Sequence, residues 1–168
     1  MDLIEKNIND ILDIGGKLNN FITNQPFTTE YKTLASKWGR LPMYSDKKSI
    51  SKFFNLLHNC QVILLVSGTG SGKTVLVPKF FYKYVLSMGL GGKIAVTNPK
   101  ILTTVYNAEY GAKTLDVKLG EEVGYKYRGS PLDAISDKTK LLYCTDGLIL
   151  ACQAIAISDE VDVDFDDV

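Results

Sequence analysis

The residues with the clearest chemical potential lie between 67 and 74, which read SGTGSGKT. Gly68, Gly70 and Gly72 leave a stretch of backbone with no side chains to obstruct it, so that its N–H groups can turn inward together onto the oxygens of a phosphate chain. A helix starting just after the loop would add partial positive charge to the same spot. Lys73 would then reach the outer phosphates, and the Thr74 hydroxyl would ligate magnesium. The candidate cofactor-binding set is therefore Ser67, Gly68, Thr69, Gly70, Ser71, Gly72, Lys73 and Thr74, with Lys73 and Thr74 doing the chemistry. The phosphate-loop pattern usually begins with glycine, and Ser67 stands there instead. The competing reading is a flexible turn with a chance Gly-Lys-Thr. The flanks favour the cradle: QVILLV, 61–66, is a continuous apolar run suited to a buried strand, and a helical pattern follows from about Gly72 to Ser87.

Other chemistry is sparse. The three cysteines, Cys60, Cys144 and Cys152, lack zinc-type spacing, and His58 is the single histidine. A metal site built on imidazole or thiolate is not expected. The 19 basic and 19 acidic residues balance. The balance is uneven, because residues 158–168 carry Asp159, Glu160, Asp162, Asp164, Asp166 and Asp167 and leave the rest of the chain net basic. No stretch approaches the roughly 18 apolar residues of a membrane helix, and the start, MDLIEKNINDILDIGG, lacks the basic opening and apolar centre of a signal peptide. A soluble, intracellular protein without a membrane partner is expected.

The elements that must hold the loop follow from periodicity. Leu3, Ile4, Ile8, Ile11 and Leu12 recur at helical spacing until Gly15-Gly16. Residues 24–47, with Pro26 and Pro42, read as connector. A helix over 49–59 turns Phe53, Phe54, Leu56 and Leu57 inward. Strands are expected at 61–66, 93–98, 123–128 and 140–145. Pro99 opens a helix whose inward stripe is Ile101, Val105, Ala108 and Ala112, and a short helix follows Thr145. Strands alternating with helices imply an open parallel sheet with right-handed crossovers.

Five segments, in order, resemble the first motor domain of DEAH-type superfamily two RNA helicases, nearest the viral branch. LPMYSDK, 41–47, resembles the family's entry segment, and TGSGKTVLVPK, 69–79, its phosphate loop with a proline-containing helix. VTNPKILTT, 96–104, resembles motif Ia, DVKLGEEVGYKYRG, 116–129, the segment that follows it, and LLYCTDGLIL, 141–150, motif Ib. The family usually has two arginines after the motif Ia proline, whereas Lys100 and Ile101 follow Pro99 here.

The resemblance implies a RecA-like parallel sheet, incomplete in this chain, with flanking helices and an N-terminal helical extension. It implies ATP and Mg2+ as cofactors and the backbone of single-stranded RNA as partner. The implied backbone contacts are Lys100, Thr103, Thr145 and Gly147, with Arg128 and Tyr125 able either to line the same channel or to pack. Thr145-Asp146 can also simply cap a helix. Residues 1–45 would form the extension and connector, and 46–168 a partial ATP-binding domain. The family also needs an acidic motif, whose Asp holds magnesium and whose Glu activates water. AIAISDEVD, 154–162, mimics it. Thr145 and Asp159 are only 14 positions apart, however, too few for a helix and a return crossing before a new strand. The expectation is a chain that stops short of the true motif and of the second motor domain, with the remainder of the helicase as a possible partner. The rival is a small self-contained P-loop NTPase or kinase using Asp159 and Glu160.

Overall fold

The structure, a computed structural model, describes Asp10, Asp13 and residues 16–150. The stripe at Leu3–Leu12, apart from its neighbour Asp10, and the Asp159–Glu160 segment lie outside the described residues. Two compact units are present: Met1–Gly92 with Lys113–Val117, and Lys93–Ala112 with Lys118–Val168.

In the first unit the stretch expected to be connector is helical. Helix α1 spans Thr29–Trp38 and the single turn α2 spans Pro42–Ser45. The local chemistry explains α1. Thr28 Oγ1 accepts the Tyr31 N–H at 3.1 Å, Glu30 sits in the first turn, Lys37 in the last, and the Gly39 N–H returns to the Ala35 carbonyl. Pro42 occupies the first position of α2, where its missing N–H costs nothing. Helix α3, Lys47–Asn59, starts at Asp46, which accepts the Ser49 N–H at 3.1 Å. Helix α4, Lys73–Ser87, runs through Pro78. Its apolar face meets α1 and α3 in an aromatic core of Tyr31, Trp38, Phe53, Phe54 and Phe80. The Phe53 and Phe54 rings lie 5.7 and 5.8 Å from that of Phe80. Each such ring, buried, contributes about 1.5–3 kcal/mol of transfer free energy, so α4 is fixed chiefly by its middle.

The second unit holds strands β1 (Ile94–Asn98), β2 (Val123–Lys126) and β3 (Leu141–Thr145), and helix α5 (Ile101–Leu115) starts in it. The sheet is parallel in the order β1-β3-β2, with Asn98 opposite Thr145 and Val123 opposite Leu141. β3 is central, so Leu141, Leu142, Tyr143 and Cys144 are all buried, as its unbroken apolar run requires. Helix α5 turns the expected face inward except at its start, and Val105 is half-buried. Ala108 and Ala112 are buried, but Ile101 is 47% exposed and Thr104 takes an inward place. The Thr104 hydroxyl donates to the Lys100 carbonyl at 3.0 Å, so its polar atom is satisfied within the helix and its methyl faces in. Gly111 lets the Tyr143 ring approach: a Cβ there would stand 2.6 Å from the Tyr143 hydroxyl. Residues 146–150 are helical, as expected after Thr145.

The run at 61–66 departs from expectation. It forms no ladder with any described residue, and Val62, Leu64 and Val66 are 83–88% exposed. The alternation of the strand survives, since Ile63 packs against the aromatic core while its neighbours face out. Within its own unit the segment has no strand to pair with, because the three described strands all belong to the second unit. Such an edge invites self-association. The chain is expected to form concentration-dependent oligomers in sedimentation velocity, and Leu64→Lys to shift it toward monomer. A monomeric parent at all concentrations would show that the apolar face is covered in solution.

Candidate nucleotide and nucleic-acid sites

The glycine loop is assembled around Lys73. Its ammonium donates to the Ser67 carbonyl at 2.6 Å, the Gly68 carbonyl at 3.0 Å and the Ser67 hydroxyl at 3.1 Å, with the Ser71 hydroxyl 3.5 Å away. The Ser67 and Ser71 hydroxyls are 2.8 Å apart, so serine at the pattern's first position is built into the loop rather than strained by it. Gly72 adopts φ 104°, a left-handed conformation that lets the chain turn straight into α4. A Cβ there would also meet Leu41 at 2.9 Å. The same entry segment is tied to the loop by the Met43 N–H, which donates to the Ser71 carbonyl at 3.1 Å.

No side chain caps the start of α4. The first hydrogen bonds close from Val75 and Leu76 back to the Gly72 carbonyl, so the Lys73 and Thr74 N–H groups at the helix end remain for an anion. Gly68 and Gly70 have nothing within 4 Å of where a Cβ would stand, and Thr74 is exposed. Pro78 has no N–H to give the Thr74 carbonyl one turn earlier. An open glycine backbone, an uncapped helix end, one ammonium and one hydroxyl suit a phosphate chain with its magnesium. Thr69 and Gly70 complete the loop's exposed tip.

The second unit has its own site. In a parallel sheet all carboxyl ends lie on one side, and ligands of open α/β sheets bind there. A cleft of about 870 Å³ opens at the ends of β2 and β3, lined by Lys126, Tyr127, Arg128, Ser136, Thr145 and Gly147 among others. It brings together Arg128, Thr145 and Gly147 of the expected nucleic-acid set. Lys100 and Thr103 are exposed at the start of α5, just beyond the carboxyl end of β1, and do not line the cleft. The lining carries two cations, Lys126 and Arg128, against one carboxylate, Asp137. Tyr125 and Tyr127 stand parallel, ring centroids 6.1 Å apart, and burial with the neighbouring Tyr127 holds the Tyr125 hydroxyl above its ordinary range. Lys126, Tyr127 and Ser136 were not singled out from sequence. The alternation of Lys126 and Arg128 around Tyr127 was the available signal.

Among the described residues no cluster of His, Cys, Asp or Glu is arranged to hold a metal, and no helix is long and apolar enough to cross a membrane.

A phosphate-type glycine loop opening a helix in the first unit, and a three-stranded parallel sheet with flanking helices in the second, are together the parts of an incomplete RecA-like α/β fold. No family model matches the chain. Among curated proteins it is 39% identical over 140 residues to "Putative ATP-dependent RNA helicase L540" of Acanthamoeba polyphaga mimivirus, covering 83% of this chain and 19% of that protein. It is 42% identical over 111 residues to "ATP-dependent RNA helicase HrpA" of Borreliella burgdorferi, covering 66% of this chain and 13% of that protein. Its homologues are thus ATP-dependent RNA helicases, matched over most of this chain. It spans about a fifth or less of the length of these relatives.

Proposed function

We propose that the chain is the ATP-binding and RNA-backbone-binding part of a DEAH-type RNA helicase, and that by itself it neither hydrolyses ATP at a useful rate nor unwinds RNA. The observation that carries the reading is the Lys73 ammonium inside a glycine loop at an uncapped helix start, in a chain related to helicases. Ser67–Thr74 would hold the phosphates of ATP, and Thr74 would complete the shell of Mg2+. Lys100, Thr103, Thr145, Gly147 and Arg128 would hold the sugar-phosphate backbone of single-stranded RNA, which needs cations, hydroxyls and backbone N–H groups rather than base-specific contacts. ATP and RNA place its work inside the cell, or in a virion if the source is viral. The remaining parts of the motor would be its partner.

Among the described residues no carboxylate approaches Lys73 within ion-pair distance. Asp159–Glu160 would have to supply magnesium coordination and water activation, and 14 positions after Thr145 leave little chain for that. Without an acid pair or arginine fingers, charge neutralisation by Lys73 leaves most of the barrier standing. The test is steady-state ATP turnover, with and without single-stranded RNA, in the parent, Glu160→Gln and Lys73→Ala. Background turnover in all three, with ATP binding retained in the parent, is expected. RNA-stimulated turnover abolished by Glu160→Gln would instead make residues 158–162 a working acidic box and the chain a self-contained NTPase. For RNA, log affinity against log salt should slope by about −0.7 per phosphate contact, and Lys100→Ala should remove roughly one contact. An unchanged slope would take Lys100 out of the interface.

A further inference from the structure

Helix α5 carries an exposed face that the core does not use and that the proposed phosphate contacts use only at its start. Lys100 and Thr103 stand at its start, and Leu102, 84% exposed, and Tyr106, 66% exposed, follow at helical spacing. Tyr110 lies one further turn along, half-buried, with its ring in a plane within 1° of that of Tyr106 and their centroids 6.4 Å apart. The two rings are parallel but offset, so the exposed face of Tyr106 is not covered by Tyr110. An exposed aromatic ring covers little and costs apolar hydration, so Tyr106, exposed beside Leu102 and held parallel to the half-buried Tyr110, offers a free ring face to a ligand.

We propose that Tyr106 is a stacking platform for a base of single-stranded RNA, with Tyr110 positioning its ring. The proposal rests on the reading that this chain binds RNA, and it adds a base contact to a set otherwise made of backbone contacts. Thr103 and Tyr106 are three residues apart, about 4.5 Å along the helix and on one face. A phosphate at the helix start and a base on Tyr106 would therefore belong to the same stretch of strand. The charges on the face set the direction of the strand: Lys100 leads it, while the exposed Glu109, three residues past Tyr106, would repel a phosphate, so the backbone must run from Tyr106 toward the helix start. Every base offers a π-face, so stacking here is tolerant of sequence. Tyr106 would take the base because it is the exposed member; the half-buried Tyr110 sets the ring's plane.

The test uses the whole 168-residue chain, a short oligouridylate and an abasic sugar-phosphate oligomer of the same length. Tyr106→Ala is expected to weaken oligouridylate binding by roughly 5- to 100-fold. It should leave both the abasic affinity and the salt slope unchanged. Tyr106→Phe and Tyr106→Trp should retain binding, and Tyr110→Ala should lose less than Tyr106→Ala. Lys100→Ala should do the reverse, lowering the slope on both oligomers. Equal losses on both oligomers for Tyr106→Ala, or no loss on either, would overturn the stacking role while leaving backbone binding intact. A change of sedimentation without a change in oligouridylate affinity would also overturn it, and assign the face to a protein partner. A parent that binds neither oligomer would overturn both the stacking role and the RNA reading beneath it.

Discussion

Replacing Lys73 with alanine is expected to weaken ATP binding by about ten- to a hundredfold. The ammonium makes its closest contacts with the Ser67 and Gly68 carbonyls, at 2.6 and 3.0 Å, and these are neutral acceptors. A phosphate chain entering the loop offers ionised oxygens instead. Charge-assisted hydrogen bonds are shorter and roughly twice as strong as neutral ones, so the exchange favours the nucleotide. Removing one partner of such a bond costs about 1.5–3 kcal/mol, which is the stated factor. The rest of the cradle survives the substitution, because Gly72 and the Met43–Ser71 hydrogen bond do not depend on Lys73. Lys73→Arg should restore little, since a planar fork does not replace a compact point charge among three loop oxygens. A fluorescent ATP analogue titrated against parent and both variants measures this. Equal affinities in parent and Lys73→Ala would remove the loop from nucleotide binding altogether.

The loop could be read in the sequence because everything it needs is local: glycines, a lysine, a threonine and a helix start within eight positions. The three paired strands were equally legible. β1, β2 and β3 are short apolar or alternating runs bounded by turn residues, and each falls within one to two residues of the expected limits at most ends. α1 was also written in local signals, with Thr28, Glu30 and Gly39 at the places a helix wants them. Pro26 and Pro42 drew the reading toward connector, yet one lies outside α1 and the other opens α2. Other features depend on what packs where. At the start of α5 Thr104 rather than Ile101 is buried, its hydroxyl satisfied by the Lys100 carbonyl, which an apolar stripe count misses. The run at 61–66 has strand composition, but a strand needs a neighbour, and composition does not supply one. The cleft lining is the least local of all. Arg128 and Thr145 meet only because β2 and β3 are adjacent in the order β1-β3-β2, with Lys126 opposite Cys144.

The stability of the fold around the loop helix is expected to rise as pH rises from about 7 toward 9.5. The cause is Lys79, six residues after Lys73 on the same helix. It is 2% exposed, and its ammonium lies 3.7 Å from the Trp38 ring centroid and 5.4 Å from that of Tyr31. No carboxylate among the described residues lies within ion-pair distance of it. Burial pushes its pKa down from 10.5 to about 7, against the opposing pull of Asp116. The negative faces of the two rings also favour the charged form, but they replace only part of the lost hydration. The sign then follows. In the unfolded chain the amine keeps its proton up to the ordinary lysine value of 10.5, while in the folded chain it gives the proton up above about 7. Between those values the unfolded state binds more protons, so raising pH favours the folded state. Below about 7 both states are protonated, and the fold carries the full cost of a buried cation. Tyr31 and Tyr44, both raised by burial, act in the opposite direction once unfolded tyrosine ionises near 10, which sets the upper limit of the window. Denaturant midpoints measured at pH 7, 8 and 9 should climb in the parent. Lys79→Met keeps the stem packed on the rings, removes the titrating group, and should be flat across the window and more stable than the parent at pH 7 by a few kcal/mol. The same climb in Lys79→Met would show that another group titrates, and a flat parent would show that Trp38 and Tyr31 hold the ammonium as well as water does.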